Sequence, residues 1–179
     1  MKDWNVVVTY HTGGFRPSRK LLEPFGQLQR TEFPSVLVMR ADDVEGLLSA
    51  LEARRAADPT VDHHLSRLIP VTSAFRFESP EDFQEQARAA VQPLLPRLAG
   101  KSFHVRIQRR GFKGRLTSAA EERWLGGVVL DALESAGTPA RVSFQDPDCI
   151  LAVEMLGTRA GLSLWTREQL RRYPFLRLS

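Results

Sequence analysis

The chain has 179 residues, of which 42% are hydrophobic and 26% charged, with one cysteine and a formal net charge of +4. A single cysteine excludes an internal disulfide framework and a Cys-x-x-Cys metal site. The length fits one large domain or two small ones, and leaves no room for a binding module joined to a full catalytic domain. Residues 1–100 carry 12 basic and 13 acidic side chains, and residues 101–179 carry 13 and 8, so the positive charge lies in the C-terminal part. There it is mostly arginine, whose planar fork suits phosphate. The N-terminus is charged from Lys2 and its apolar run is too short for a signal peptide. No window approaches the roughly 18 apolar residues of a membrane span. A cytoplasmic location is therefore expected.

In chain order, Val6 to Tyr10 reads as a strand, broken by Gly13-Gly14. Ser18 to Leu28 suggests a short helix weakened by Pro24. Val36 to Met39 is a short apolar run, hence a buried strand. Asp42 or Asp43 caps a helix whose Val44, Leu47, Leu48 and Leu51 share a face, with Arg54 and Arg55 at its end. Leu68 to Phe77 is strand-like. Strand, helix, strand, helix, strand predicts a ferredoxin-like α+β domain over residues 1–78.

A second domain is expected over residues 79–179. Ser79 caps its first helix, Pro80 takes the first position and Asp82 reaches back. Phe83, Ala87, Ala90, Val91, Leu94 and Leu98 form its apolar stripe, and Pro93 and Pro96 kink or end the helix. Ser102 to Gln108 alternates, with Phe103, Val105 and Ile107 on one side and His104, Arg106 and Gln108 on the other, outer side. The box Ser118-Ala119-Ala120-Glu121 opens a helix that Gly137-Thr138-Pro139 stops. Strands follow at Arg141 to Phe144, Ile150 to Leu156 and Leu162 to Trp165, with a hairpin turn over Gly157 to Gly161, then a short helix near Arg167 to Arg172.

Five basic residues fall within ten positions: Arg106, Arg109, Arg110, Lys113 and Arg115. Such a cluster can track a phosphate backbone. Phe112, between Gly111 and Gly114, is available to stack on an unpaired base or to be buried at the domain junction. Thr117 and Ser118 present N–H groups at a helix N-terminus beside these cations. Arg159 and the pair Arg171-Arg172 are weaker candidates. Glu154, in an apolar strand, calls for a buried or edge arginine partner. His11-Thr12-Gly13-Gly14 follows a strand but lacks the rest of a phosphate-loop glycine pattern. His63, His64 and His104 have no acids or cysteines placed to complete a metal set, and all three read as surface or mildly RNA-contacting residues.

Phe103-His104-Val105-Arg106 leading into Arg109-Arg110-Gly111, then Thr117-Ser118 and Glu121, Val142-Ser143-Phe144, Asp146-Pro147-Asp148, Ala152-Val153-Glu154-Met155 and Gly161-Leu162-Ser163-Leu164 together resemble a THUMP domain. Similar proteins more often carry Asn where Asp146 stands. The resemblance implies tRNA binding, at single-stranded 3′-end and backbone contacts near the acceptor stem. THUMP domains are usually fused to a catalytic domain, and the motifs of a methyltransferase, a thiolase or a zinc deaminase are not seen here. Arg67-Leu68-Ile69-Pro70-Val71 and Ser79-Pro80-Glu81-Asp82 extend the resemblance to stand-alone adaptors for tRNA cytidine acetylation. These pair a ferredoxin-like part with THUMP and work with a separate acetyltransferase. The resemblance thus implies a tRNA-binding adaptor with no catalytic residue, cofactor or metal, and RNA contacts from Arg106, Arg109, Arg110, Phe112, Lys113, Arg115, Thr117, Ser118 and Arg159. The alternatives are a protein-interaction or assembly module with residual RNA affinity, or a subunit of a thiolation or methylation system.

Overall fold

A computed structural model describes residues 1–178. The chain divides into two compact units, one of residues 1–71 with 170–177, the other of residues 72–169 with Leu178.

The first unit is ferredoxin-like. Strand β1 (Val6–Tyr10) leads to helix α1 (Phe15–Leu22), then β2 (Gly26–Arg30), β3 (Val36–Ala41), helix α2 (Val44–Ala57) and β4 (Leu65–Pro70). The antiparallel sheet has the order β2-β3-β1-β4. Asp43, not Asp42, caps α2, accepting from the Gly46 amide at 2.9 Å. The expected helix over 18–28 ends at Leu22, and β2 takes the rest. Pro24 stops the helix, and β2 has no sequence signature because its polar Gln27, Gln29 and Arg30 lie on an exposed edge strand with no apolar alternation. Residues 170–177 return to this unit, where the buried Arg67 donates from Nε to the Leu176 carbonyl at 3.0 Å.

The second unit starts at β5 (Ser73–Arg76), followed by α3 (Pro80–Val91), α4 (Leu95–Leu98), β6 (Ser102–Arg110), α5 (Ser118–Ser135), β7 (Arg141–Val142), β8 (Cys149–Leu156), β9 (Arg159–Thr166) and α6 (Arg167–Arg172), whose last three residues belong to the first unit. Its mixed sheet has the order β5-β9-β8-β6-β7. Strands β7, β6 and β8 are parallel, and β8, β9 and β5 antiparallel. The apolar stripes of α3 and α5 pack with Phe103, Val105, Ile107, Leu151 and Val153 into one core. Fully burying each of the phenylalanines Phe77, Phe83 and Phe103 contributes up to about 3 kcal/mol.

Two expectations need correction. The boundary falls after Val71, not Glu78, because β5 pairs with β9 and so belongs to the second sheet. The run Leu68 to Phe77 is two strands in two sheets. And Arg159 is not in a turn: it opens β9, and only Gly157 and Thr158 connect it to β8. Asp82 reaches the amide of Glu78 at 2.9 Å, while Ser79 Oγ accepts from Asp82 N at 3.1 Å, so the expected cap of α3 is present.

Candidate nucleic-acid interface

The loop of residues 111–117 joins the end of β6 to the start of α5. Gly111 (φ 97°) and Gly114 (φ 79°) take left-handed backbone, as does Phe112 (φ 52°), where the Cβ makes the conformation costly. Packing holds Phe112 there. Its ring centroid lies 5.1 Å from that of Phe77, and the Arg115 guanidinium sits 4.9 Å from its centroid. Phe112 is thus a half-buried flank of the second unit's own core, in contact with Phe77 and Arg115.

The five clustered cations separate into two groups. Lys113 and Arg115 are exposed in the loop. Arg106, Arg109 and Arg110 are half-buried on the strand. Arg109 Nη1 donates to the Gly111 carbonyl, folding the side chain back on its own loop. Arg110 Nη1 lies 3.6 Å from Glu154 Oε2, and the Glu154 side chain is wholly buried. Arg110 is therefore the arginine that Glu154 requires. A buried carboxylate without a countercharge is strongly disfavoured.

Thr117 is the true N-cap of α5. Its Oγ1 accepts from the Ala120 amide at 3.2 Å, so the cap sits one residue before the expected Ser118. Glu121, freed from the capping box, is buried and accepts from Gln84 Nε2 at 3.0 Å. Ser118 is the first helical residue, half-buried. The first turn of this 18-residue helix follows the loop that carries Lys113 and Arg115, and its N–H groups beyond the cap lack intrahelical partners.

Strand register brings in Arg159 and a residue the sequence did not single out. Arg110 pairs with Leu156, Leu156 with Arg159, and Arg159 with Arg76. Arg110, Arg159 and Arg76 therefore form one row across the end of the sheet, on the face opposite the core. The Gly157 amide donates to the Arg110 carbonyl at 2.7 Å, tying the hairpin tip to the loop. Arg76 lies in sequence far from the cluster, and only the β5–β9 pairing could have found it.

His104 is not on the surface: it is 3% exposed. Its Nδ1 is 3.0 Å from the Ser143 carbonyl, which can only accept, so Nδ1 donates. Asp146 has φ 44°, a conformation that Asn also tolerates well, and its carboxylate takes a 2.7 Å bond from Arg167 Nε. The acid at this position thus has a structural partner. The glycines of His11-Thr12-Gly13-Gly14 also serve packing: a Cβ on Gly14 would lie 2.4 Å from the His64 carbonyl oxygen. No group of three or more His, Cys, Asp or Glu that could hold a metal ion occurs among the described residues. No helix among them is long and apolar enough to cross a membrane.

No family model matches the chain, and no curated protein matches it. Solved structures do resemble it. PH1313 from Pyrococcus horikoshii Ot3 is 12% identical with a TM-score of 0.59, covering 90% of this chain and 54% of that one. TrmN from Thermus thermophilus is 20% identical with a TM-score of 0.59, covering 90% and 44%. A 4-thiouridine synthetase in an RNA complex with bound ATP is 14% identical with a TM-score of 0.53, covering 92% and 42%. The likeness shows the fold alone: α+β, a ferredoxin-like unit followed by a second unit of helices on a mixed sheet. The chain spans about half, or less, of the length of these structures.

Proposed function

We propose that the protein binds tRNA through the loop-and-helix end of its second unit and presents it to a separate modifying enzyme, catalysing no step itself. The observation that carries this reading is that exposed Lys113 and Arg115 lie in the loop leading into the N-terminus of α5, and that the Gly157 amide ties the start of this loop to the hairpin whose β9 strand pairs Arg159 with the exposed Arg76. Exposed cations and unbonded amides in one place are what a phosphate backbone requires. The likeness to the fold of a synthetase crystallised with RNA agrees with it. By its resemblance to the acetylation adaptors, the enzyme served is a cytidine acetyltransferase, and the RNA element is the acceptor stem with its 3′ end.

The test is tRNA affinity across a salt series for wild type and a Lys113→Glu, Arg115→Glu double variant. Losing two phosphate contacts should flatten the slope of log affinity against log salt by roughly 1.4 to 1.8. An unchanged slope and affinity in the variant would remove the loop from the interface. Arg110 is unsuitable for this test, because Arg110→Glu would set a second carboxylate against buried Glu154.

A further inference from the structure

Beside α5 lies a groove of about 480 Å³, walled by His104, Val105, Glu122, Arg123, Val142 and Phe144 among others. It exists because β7 pairs only with Ser102 and Phe103, leaving the outer edge of β6 open beyond them. Glycine also contributes. Gly126 and Gly127 line the groove from the middle of α5, where glycine is unfavourable relative to alanine. Packing does not demand them: a Cβ on Gly127 would meet nothing within 4 Å, and one on Gly126 only Val105 Cγ2 at 4.0 Å.

Three observations point to a ligand. Val142 and Phe144 are the exposed large hydrophobics among the described residues, at 43% and 74%, and both line this groove. The Phe144 ring stacks on the His104 ring, centroids 5.4 Å apart and planes 30° from parallel. His104 Nε2 is buried with no hydrogen-bond partner. Because Nδ1 donates to the Ser143 carbonyl, Nε2 is the ring nitrogen left to take a ligand partner. The Glu122 carboxylate is already engaged by the Ile107 amide at 2.9 Å, and Arg123 supplies positive charge at the wall. One end of the groove reaches Ala119, two residues past the Thr117 cap and its loop cations.

We propose that this groove takes an unpaired RNA base, with Phe144 as the stacking platform and His104 Nε2 as acceptor for an exocyclic amino group. The proposal rests on the RNA-binding reading above and adds a base-selective subsite to it. The aromatic surface, the acceptor and the adjacent phosphate-binding charges match a nucleotide in one place. Adenine and cytosine carry the required amino donor on the pairing edge; uracil does not.

The experiment measures fluorescence anisotropy of labelled adenosine, cytidine and uridine homo-oligomers with wild type, Phe144→Ala, Gly127→Leu and the Lys113→Glu, Arg115→Glu variant. Phe144 is exposed and Gly127 faces open space, so both single variants should fold. The expected result is that wild type prefers the adenosine and cytidine oligomers. Phe144→Ala should weaken both by roughly five- to a hundred-and-sixtyfold, the range for loss of one stacked base. Gly127→Leu, which fills the groove, should do the same. If both single variants bind as wild type while the loop variant does not, RNA binding stands and the groove falls to a protein partner. Equal wild-type affinity for uridine, whose pairing-edge donor is a ring N–H and not an amino group, overturns the selectivity for an exocyclic amino group and with it the site as stated. If wild type binds neither tRNA nor any oligomer, both readings fall.

Discussion

Ser102 and Asp148 hold the starts of two adjacent parallel strands together by a reciprocal pair of hydrogen bonds. The Ser102 amide donates to Asp148 Oδ2 at 2.9 Å, and the Asp148 amide donates to Ser102 Oγ at 2.9 Å. The two residues are 46 apart in sequence, and their clamp sits at the start of the β6–β8 register, just before the Phe103–Cys149 pair. It also explains the Asp-Pro-Asp turn as a structural device before β8.

The Ser102 hydrogen bonds hold the Asp148 carboxyl below the usual carboxylate range. A depressed folded value contributes stability that is present above the unfolded value, about 3.9, and is lost as pH falls through the folded one. Asp148→Asn should therefore lower the melting temperature near neutral pH and less so in acid. Asp58 and Asp62, held down by Thr60 and Arg55, contribute their own acid sensitivity and remain in the variant. Equal losses at pH ~7 and pH ~3 would count against the clamp.

Arg110→Ala should cost about 3 kcal/mol, since it strips a close countercharge from a carboxylate with no solvent exposure. Replacing the pair together, Arg110→Met with Glu154→Leu, should cost less than the single change. Urea unfolding of the three proteins decides it; a harmless Arg110→Ala would show that the ion pair does not hold Glu154.

Thr117→Ala should destabilise the protein by about 1 kcal/mol through loss of the α5 cap, and Ser118→Ala by a few tenths at most. The reverse order in chemical denaturation would return the cap to Ser118.

Gly14→Ala should cost about 1–3 kcal/mol, because the new Cβ meets backbone oxygens of His64 and His11, which cannot rotate away. Gly13→Ala meets nothing within 4 Å and suffers only the strain of φ 78°, about 1 kcal/mol. Thermal unfolding should rank the two in that order, and Gly14→Ala melting with wild type would rule out the close approach.

The helices were legible where capping and an apolar stripe agreed, as at Asp43, Ser79 and Phe83 to Val91. Strand β2 was not, because a solvated edge has no hydrophobic period. His104 was misplaced for a related reason. Every residue of β8 is buried, so the sheet's central strands are covered on both faces and the alternation in β6 does not mark an inside and an outside. The boundary is not legible because only Val71 and Thr72 separate β4 from β5, and nothing local says that hydrogen bonding switches from β1 to β9.

The sequence by itself determined the two-part α+β order, the helix starts and the cluster of cations before α5, since each depends on neighbours within a few residues. Which of those cations remain available was decided only by tertiary structure. Glu154 is brought beside Arg110 by parallel pairing across 44 positions, and Arg76 joins Arg159 through the β5–β9 ladder. The acidic partner and the extra arginine come from strand register. Register is fixed by burial across the whole sheet, not by the residues of the loop.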